Sequence, residues 1–315
     1  MKKEASILIT GGAGFVGSHL VELLINQGFN NVYLTYHHFL PEQIKLLIKP
    51  EHCFSLDLTD KLAVAKLLKI VKPDYLFHLA STAITFASFD DPFAVFANNL
   101  KLDSNLLSSL KKFSPKSRCL WVGSGMEYQL NNQNTLKKID ENFPLGPSSP
   151  YGVAKVASDL LALSYHQSFF LPIVRVRPFN HCGERQSLGF VIPDFMEQIL
   201  KIKQQQLANI QVGNLNIIRD FTDVKDVVRA YLLLMQKGKE GEVYNLGVGV
   251  GVSIKKILDL LMKVFQIDCR IVIDSKKIRK NEVKQIIVDN CKLVQLGWKP
   301  EIKIEETIQR ICESI

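Results

Sequence analysis

Residues 10–20 read "TGGAGFVGSHL", with glycine at 11, 14 and 17. The stretch follows an apolar run, "SILIT" (6–10), and opens a helical pattern, "GSHLVELLINQG" (17–28). A strand that enters a helix through spaced glycines suits one kind of ligand. Without side chains the backbone turns tightly and approaches the ligand closely, while the helix N-terminus offers free N–H groups and a positive dipole end. A pyrophosphate fits that description, so the opening of the chain reads as a dinucleotide cradle. Gly11, Gly14 and Gly17, with Phe15 and Val16 of the first helical turn, are the expected contacts.

Working outward, short β-rich runs alternate with helical patterns: "NVYLTY" (31–36), "LAVAKLLKIV" (62–71) and "YLFHLA" (75–80). Further strand candidates are "RCLWVGS" (118–124), "PIVRVRP" (172–178) and "EVYNLG" (242–247), with long helices expected at about 92–113 and 151–169. Asp91-Pro92 suits the start of the first of these, Pro being favoured early in a helix. Such alternation specifies an α/β protein, a Rossmann-type doubly wound parallel sheet. After Arg177 the pattern loosens into Gly, Pro and polar residues, which reads as a binding loop. A second, smaller mixed α/β substrate lobe is therefore expected from 178–216 and 266–315, with 1–177 and 217–265 forming the dinucleotide-binding domain.

At the end of the second strand, NAD enzymes place an acid against the ribose hydroxyls. This chain offers Thr35, Tyr36, His37 and His38 there instead. No carboxylate repels a 2′-phosphate and no arginine binds one, which favours NADP(H) modestly and leaves NAD(H) possible. The histidines read equally as cofactor contacts or as an exposed loop. Asp57, in "SLDLTD", closes the third strand, where an acid can accept a hydrogen bond from the adenine amino group.

Composition narrows the class. The 315 residues are 47% hydrophobic and 22% charged, as in a folded globular protein. No apolar run approaches the ~18 residues of a membrane span. The charged N-terminus lacks a long apolar core or cleavage site and reads as a first strand rather than a signal peptide. The net charge of +8 is dispersed, with only short doublets such as Lys137-Lys138 and Lys276-Lys277. That is a solvated surface, not a nucleic-acid patch. Six cysteines show no CxxC pair or metal-ligand spacing, so reduced thiols in the cytosol and no metal are expected.

"SSPYGVAK" places Tyr151 and Lys155 four residues apart on a helix, hence on one face. A free phenol titrates at about 10, and a neighbouring ammonium favours its anion, making the pair usable as acid or base. Ser124 closes a strand in "WVGSG", where its hydroxyl can polarise a carbonyl oxygen.

Together "TGGAGFVG", "DLTD", "HLA", Ser124, "YGVAK" and "RPFN" resemble the extended short-chain dehydrogenase/reductase family, in its nucleotide-sugar branch, nearly end to end. The resemblance implies that Ser124, Tyr151 and Lys155 are catalytic, with Lys155 also on the nicotinamide ribose. It implies further cofactor contacts at Leu58, Leu79, Ala80, Ser81, Asn99 and Pro178, and a homodimer built from the two long helices. The second half, with "RPFNHCGERQ", "FVIPDF" and "LGWKP", is similar to the reductases of GDP-4-keto-6-deoxy-D-mannose, which form GDP-D-rhamnose. By that similarity Asn180, Arg219 and Arg279 hold the diphosphate of a nucleotide-sugar substrate, with Val191 beside it. A guanidinium fork matches phosphate oxygens; pairing of Arg219 with Asp220 or Asp223 is the plain alternative. His181 could face the sugar or be structural, and Cys182 is given no role. Ser81-Thr82-Ala83 and "RKNEV" (279–283) depart from the pattern of relatives.

Met126 bears on the chemistry. In the family's 4,6-dehydratases the residue two past the catalytic Ser/Thr is a glutamate that removes the C5 proton. In its fucose-forming members a nearby cysteine moves protons beside the ketone. Here the residues are Gly125 and Met126, and neither transfers a proton. Glu127 is one place out of step; on a strand-like backbone it points to the other face, while a loop could re-aim it. Hydride transfer at the sugar C4 remains: reduction of a 4-keto-6-deoxy sugar. A 4-epimerase with retained NAD is the alternative; a dehydratase or a non-catalytic nucleotide sensor are further ones.

Overall fold

A computed structural model of the chain describes residues 1–81, 91–131, 137–278 and 282–314. Its first half runs β1 (Ile7–Thr10), α1 (Phe15–Asn26), β2 (Val32–Tyr36), a short α2 (Glu42–Lys45), β3 (Cys53–Ser55), α3 (Lys61–Val71) and β4 (Tyr75–His78). Then follow α4 (Pro92–Phe113), β5 (Arg118–Val122), α5 (Pro150–Phe169) and β6 (Ile173–Pro178). The expected strands and both long helices are present. Their starts are set by local chemistry. Asp91 accepts a hydrogen bond from Ala94 N–H at 2.9 Å ahead of Pro92, and Ser149 accepts one from Gly152 N–H at 3.1 Å ahead of Pro150.

The chain continues through β7 (His181–Cys182), α6 (Val191–Lys203), β8 (Asn209–Val212), β9 (Ile218–Asp220), β10 (Thr222–Asp223), α7 (Val224–Lys237) and β11 (Val243–Leu246). It ends with β12 (Gly251–Ser253), α8 (Ile254–Phe265), β13 (Arg270–Ile273), β14 (Gln285–Ile286), α9 (Cys291–Gln295) and α10 (Ile304–Glu313). Seven strands form one parallel sheet in the order β11-β6-β5-β4-β1-β2-β3. Strand order reverses between β1 and β4, and the crevice beyond their carboxyl ends is where such sheets bind ligands. Helices cover both faces, so β1 is buried at every residue and its sequence is apolar without alternation.

A second core gathers Ile192, Phe195 and Ile199 of α6, Ile210 and Val212 of β8, Ile257, Leu258 and Leu261 of α8, and Ile308 of α10. The expected first domain extends to residue 265, yet the apolar face of α8 packs here, against α6 and α10. Chain order alone does not reveal that, because α8 follows directly on strands beside the main sheet. Asp220 joins the two regions: its carboxylate accepts from Val248 and Gly249 N–H at 2.9 and 2.8 Å and from Val288 N–H at 3.3 Å. No described helix is long and apolar enough to cross a membrane.

Candidate active site

The glycine turn sits at the sheet's reversal point. Gly11 has φ +69°, and a Cβ there would lie 3.0 Å from the backbone of Ala80, so the turn and the end of β4 touch. A Cβ on Gly17 would lie 2.3 Å from Gly11 O, so α1 rises directly off the turn. Gly14 caps α1 without a side-chain hydrogen bond. The first-turn N–H groups, from Phe15 on, are left for an anion. These residues fit a dinucleotide pyrophosphate. Thr35 is buried and accepts Gly11 N–H through its hydroxyl at 3.2 Å, bracing the turn from β2.

A cavity of about 420 Å³ opens over this helix end, lined by Gly14, Phe15, Ser18, Phe39, Glu42 and Arg185 among others. Glu42, on α2, and Arg185, on the loop after β7, lie outside the Thr35–His38 stretch that bears on cofactor preference. Arg185 is gripped by Glu22, with one contact at 2.8 Å. His37 and His38 are exposed, their rings 3.7 Å apart. Asp57 is exposed; hydrogen bonds from Thr59, the backbone N–H first, hold its carboxyl below the usual range. Leu58 is buried behind it. Leu79, Ala80 and Ser81 follow β4, and Ser81 Oγ is buried with no partner among the described residues. Asn99 lies buried on α4, and Pro178 closes β6.

One support has little more than a trace in the sequence. Thr10 Oγ1 lies 2.7 Å from His78 Nδ1, and His78 Nε2 lies 2.8 Å from Asp103 Oδ1, all three residues buried. Thr10 Oγ1 also accepts Ala80 N–H at 3.3 Å. The chain links α4 to the backbone that meets the cradle. Only "HLA" signalled it.

The turn after β5 brings the reacting candidates together. Ser124 Oγ accepts Met126 N–H at 3.1 Å, which leaves its own proton to donate. Residues Gly125–Glu127 form a 3₁₀ turn, not a strand. Glu127 therefore does not project to an opposite face. The turn folds its carboxylate back into the protein, where it is fully buried and accepts Ser124 N–H at 2.6 Å. Burial and the charge of Asp159 raise its carboxyl, while Arg177 opposes them. Both oxygens already accept from donors, 2.7 Å from Arg177 Nε on one side, so it is no acid of the site.

Tyr151 and Lys155 occupy the start of α5, 9% and 7% exposed. Lys155 Nζ donates to Val122 O at 2.9 Å, keeping two further N–H groups for a ligand. The helix lies hard against the Ser124 turn: a Cβ on Gly152 would lie 2.6 Å from Met126 O. Only glycine allows that approach, which explains the second letter of "YGVAK".

On the other side of the crevice, Asn180 is exposed between β6 and β7, and its carbonyl accepts Thr222 N–H at 2.9 Å. Arg219, half-buried on β9, donates through Nη1 to Ile218 O at 2.8 Å. The acids beside it are engaged elsewhere, Asp220 by backbone N–H groups and Asp223 by Thr307 and Arg310. Val191 opens α6, half-buried. Arg279, Thr82 and Ala83 lie outside the described residues. His181 packs its ring parallel to Phe15 of the cradle, 5.9 Å away, and donates a hydrogen bond from Nδ1 to Phe179 O; burial lowers its pKa. Cys182 is buried, which pushes its thiol up and suits the absence of a role.

Glu184, in the same loop, ties this side down. Burial alone would raise its carboxyl, but a hydrogen bond from Arg310 Nε at 2.6 Å, with backbone hydrogen bonding and the charges of Arg310 and Lys225, holds it at about 2. A depressed carboxyl contributes stability above its unfolded value and loses it as pH falls toward the folded one. Urea unfolding of Glu184→Gln against the parent should show a difference of ~2–3 kcal/mol at pH 6. That difference should shrink progressively from about pH 4.5 toward pH 2. A gap independent of pH would refute the pairing.

Comparison with known proteins agrees with this geometry. The family model for GDP-mannose 4,6 dehydratase matches residues 8–311. GDP-6-deoxy-D-mannose reductase of Pseudomonas aeruginosa is 33% identical over 307 residues, covering 97% of this chain and 95% of the relative. The solved structure of RMD from Pseudomonas aeruginosa complexed with NADPH superposes with a TM-score of 0.85 at 31% identity, covering 98% of each chain. UDP-glucose 4-epimerase of Thermotoga maritima, solved with UDP-glucose, gives 0.88 at 28% identity over 98% of each chain. Sheet order, glycine cradle and end-to-end match lead to one conclusion: the chain belongs to the GDP-mannose 4,6-dehydratase family, among the extended short-chain dehydrogenase/reductases that act on nucleotide sugars.

Proposed function

We propose that this enzyme reduces the C4 ketone of a nucleotide-diphospho-4-keto-6-deoxy sugar, namely GDP-4-keto-6-deoxy-D-mannose to GDP-D-rhamnose. The observation that carries the reading is Met126. It occupies the turn behind Ser124 where dehydration needs a carboxylate, and the adjacent Glu127 is buried and engaged away from the crevice. Similarity to the Pseudomonas reductase supports the substrate.

A bound reduced nicotinamide supplies hydride. Tyr151 gives its phenolic proton to the oxygen forming at C4, and Ser124 donates its free hydroxyl proton to the same oxygen as a hydrogen bond. Such a donor aimed at developing charge acts mainly in the transition state. Lys155, held by Val122 O, turns its remaining N–H groups to the cofactor ribose and its charge to the phenol. Gly11, Phe15, Val16 and Gly17 hold the pyrophosphate, and Asn180, Arg219 and Arg279 hold the sugar diphosphate. NADP(H) is the favoured cofactor, with NAD(H) as the alternative that Glu42 in the cavity wall would suit. The protein acts as a homodimer in the cytoplasm; exposed Phe93 and Val153, flanking a cavity at the starts of α4 and α5, support pairing through those helices.

The test offers NADPH and NADH with a panel of 4-keto-6-deoxy nucleotide sugars, following absorbance loss, in deuterated solvent. Oxidation with the GDP ketone and no deuterium at C5 is expected. Deuterium at C5, with the starting ketone shown not to exchange, refutes the reading. The likeness to the Thermotoga epimerase favours one second reading, 4-epimerisation with retained NAD. NAD released from the purified protein on denaturation, with no turnover of added NADPH, would select it.

A further inference from the structure

Behind the three reacting candidates lies a buried ionic network that no step above uses. Arg177, on β6, donates through Nε to Glu127 at 2.7 Å and through Nη2 to Asp159 at 2.6 Å. Glu127 belongs to the turn that carries Ser124, and Asp159 lies one helical turn beyond Lys155 on α5. Arg175 reaches the same Asp159 oxygen at 2.7 Å, so two guanidiniums balance two carboxylates. Arg177 is itself fixed by Tyr128, whose hydroxyl accepts from Nη1 at 3.1 Å and donates to Asn245 Oδ1 at 2.7 Å. Arg177, Glu127 and Asp159 are at most 3% exposed.

We propose that Arg177, gripping Glu127 and Asp159 at once, is a positioning residue that sets Ser124 against Tyr151 and Lys155. Stability alone is a weak reason for this network, since buried ion pairs are often replaceable by well-packed apolar groups without loss. Geometry is a stronger one. The Glu127 carboxylate lies flush with the backbone it braces: its Oε1 takes Ser124 N–H at 2.6 Å, and a Cβ on Gly123 would fall 2.3 Å from that oxygen. A shift of the carboxylate is therefore a shift of Ser124. On the helix side, Asp159 and Lys155 are neighbours at i, i+4 and share one face. Arg177 spans both elements through a rigid planar fork, which a single ammonium cannot imitate.

The inference rests on Ser124, Tyr151 and Lys155 being the reacting groups, and its test separates the two claims. Glu127→Gln keeps size, but its amide turns an N–H donor toward Arg177 when its oxygen faces Ser124. Turnover, NADPH affinity by fluorescence quenching, and amide hydrogen exchange are measured for the parent, Glu127→Gln, Ser124→Ala and the double variant. Glu127→Gln should lower kcat roughly 10–10²-fold, as small misplacements do, with NADPH affinity within about threefold. In the Ser124→Ala background the same change should cost less than about threefold, because the group it places is already gone. An equal loss in both backgrounds overturns the proposal. Exchange gives a readout that needs no turnover: the Ser124 and Met126 amides should lose protection in Glu127→Gln while the middle of α5 keeps its own. Unchanged protection of the Ser124 and Met126 amides also overturns it. A parent that oxidises NADPH with no ketone defeats the reductase reading, and exchange then decides the positioning alone. Should Glu127→Gln not fold, Arg177→Lys, which can reach one carboxylate but not both, takes its place with the same expectations.

Discussion

Tyr151→Phe is expected to fold and bind cofactor like the parent, yet to lose roughly 10²–10⁴-fold in kcat, the usual worth of a positioned proton donor. Only one oxygen is removed. The ring stays in its place at the start of α5, 9% exposed, so packing changes little and thermal midpoints should agree closely. Ser124 and Lys155 persist in the variant, and a hydrogen bond to the forming oxygen still stabilises charge, which is why residual turnover should exceed that of the uncatalysed reaction. The comparison is made with saturating ketone and NADPH, by following absorbance. Turnover equal to the parent's would remove Tyr151 from the chemistry and, with it, the reading of the site as a C4 reductase.

The second large effect concerns the cradle. Gly17→Ala should weaken dinucleotide binding by about ten- to a hundredfold and cost ~1–3 kcal/mol in folding, the range for overpacking a tight contact. Its Cβ would lie 2.3 Å from Gly11 O and 2.7 Å from Gly12 Cα. Both are backbone atoms of the turn and cannot swing aside, so α1 must slide away from the loop whose N–H groups it aims. Gly14→Ala should be milder, because its Cβ would meet only Gly11 O, at 3.2 Å, and its φ of −74° suits alanine. Titration of both variants with NADPH, alongside urea unfolding, checks the order. Equal losses would mean that motif membership, not steric approach, sets the cost.

That ordering shows how far a motif can be read. The spacing of Gly11, Gly14 and Gly17 identifies a cradle, but which glycine tolerates a methyl group depends on what the fold brings beside it. Ala80, almost seventy residues away, is the atom set against Gly11. Glu127 gives the sharper case. In sequence it sits one place from a functional position and invites an acid's role. A 3₁₀ turn and an arginine on a different strand make it a brace instead. The same holds for Arg185 and Glu42, which local reading at the end of β2 could not connect to the cavity that they line over the start of α1.

The α/β class, the strand and helix order, the spaced glycines ahead of α1 and the placing of Tyr151 and Lys155 one turn apart on a helix are all legible along the chain. Each of these is a local property, carried by periodicity, glycine placement or residue type within one segment. The braces came from the three-dimensional fold: the Thr10–His78–Asp103 chain, the Arg177 grip on Glu127 and Asp159, and the packing of α8 with α6 and α10. Those depend on which side chains meet across strands and helices distant in the chain. Buried charges accept such partners only where geometry satisfies them, and no spacing rule along one segment encodes that meeting.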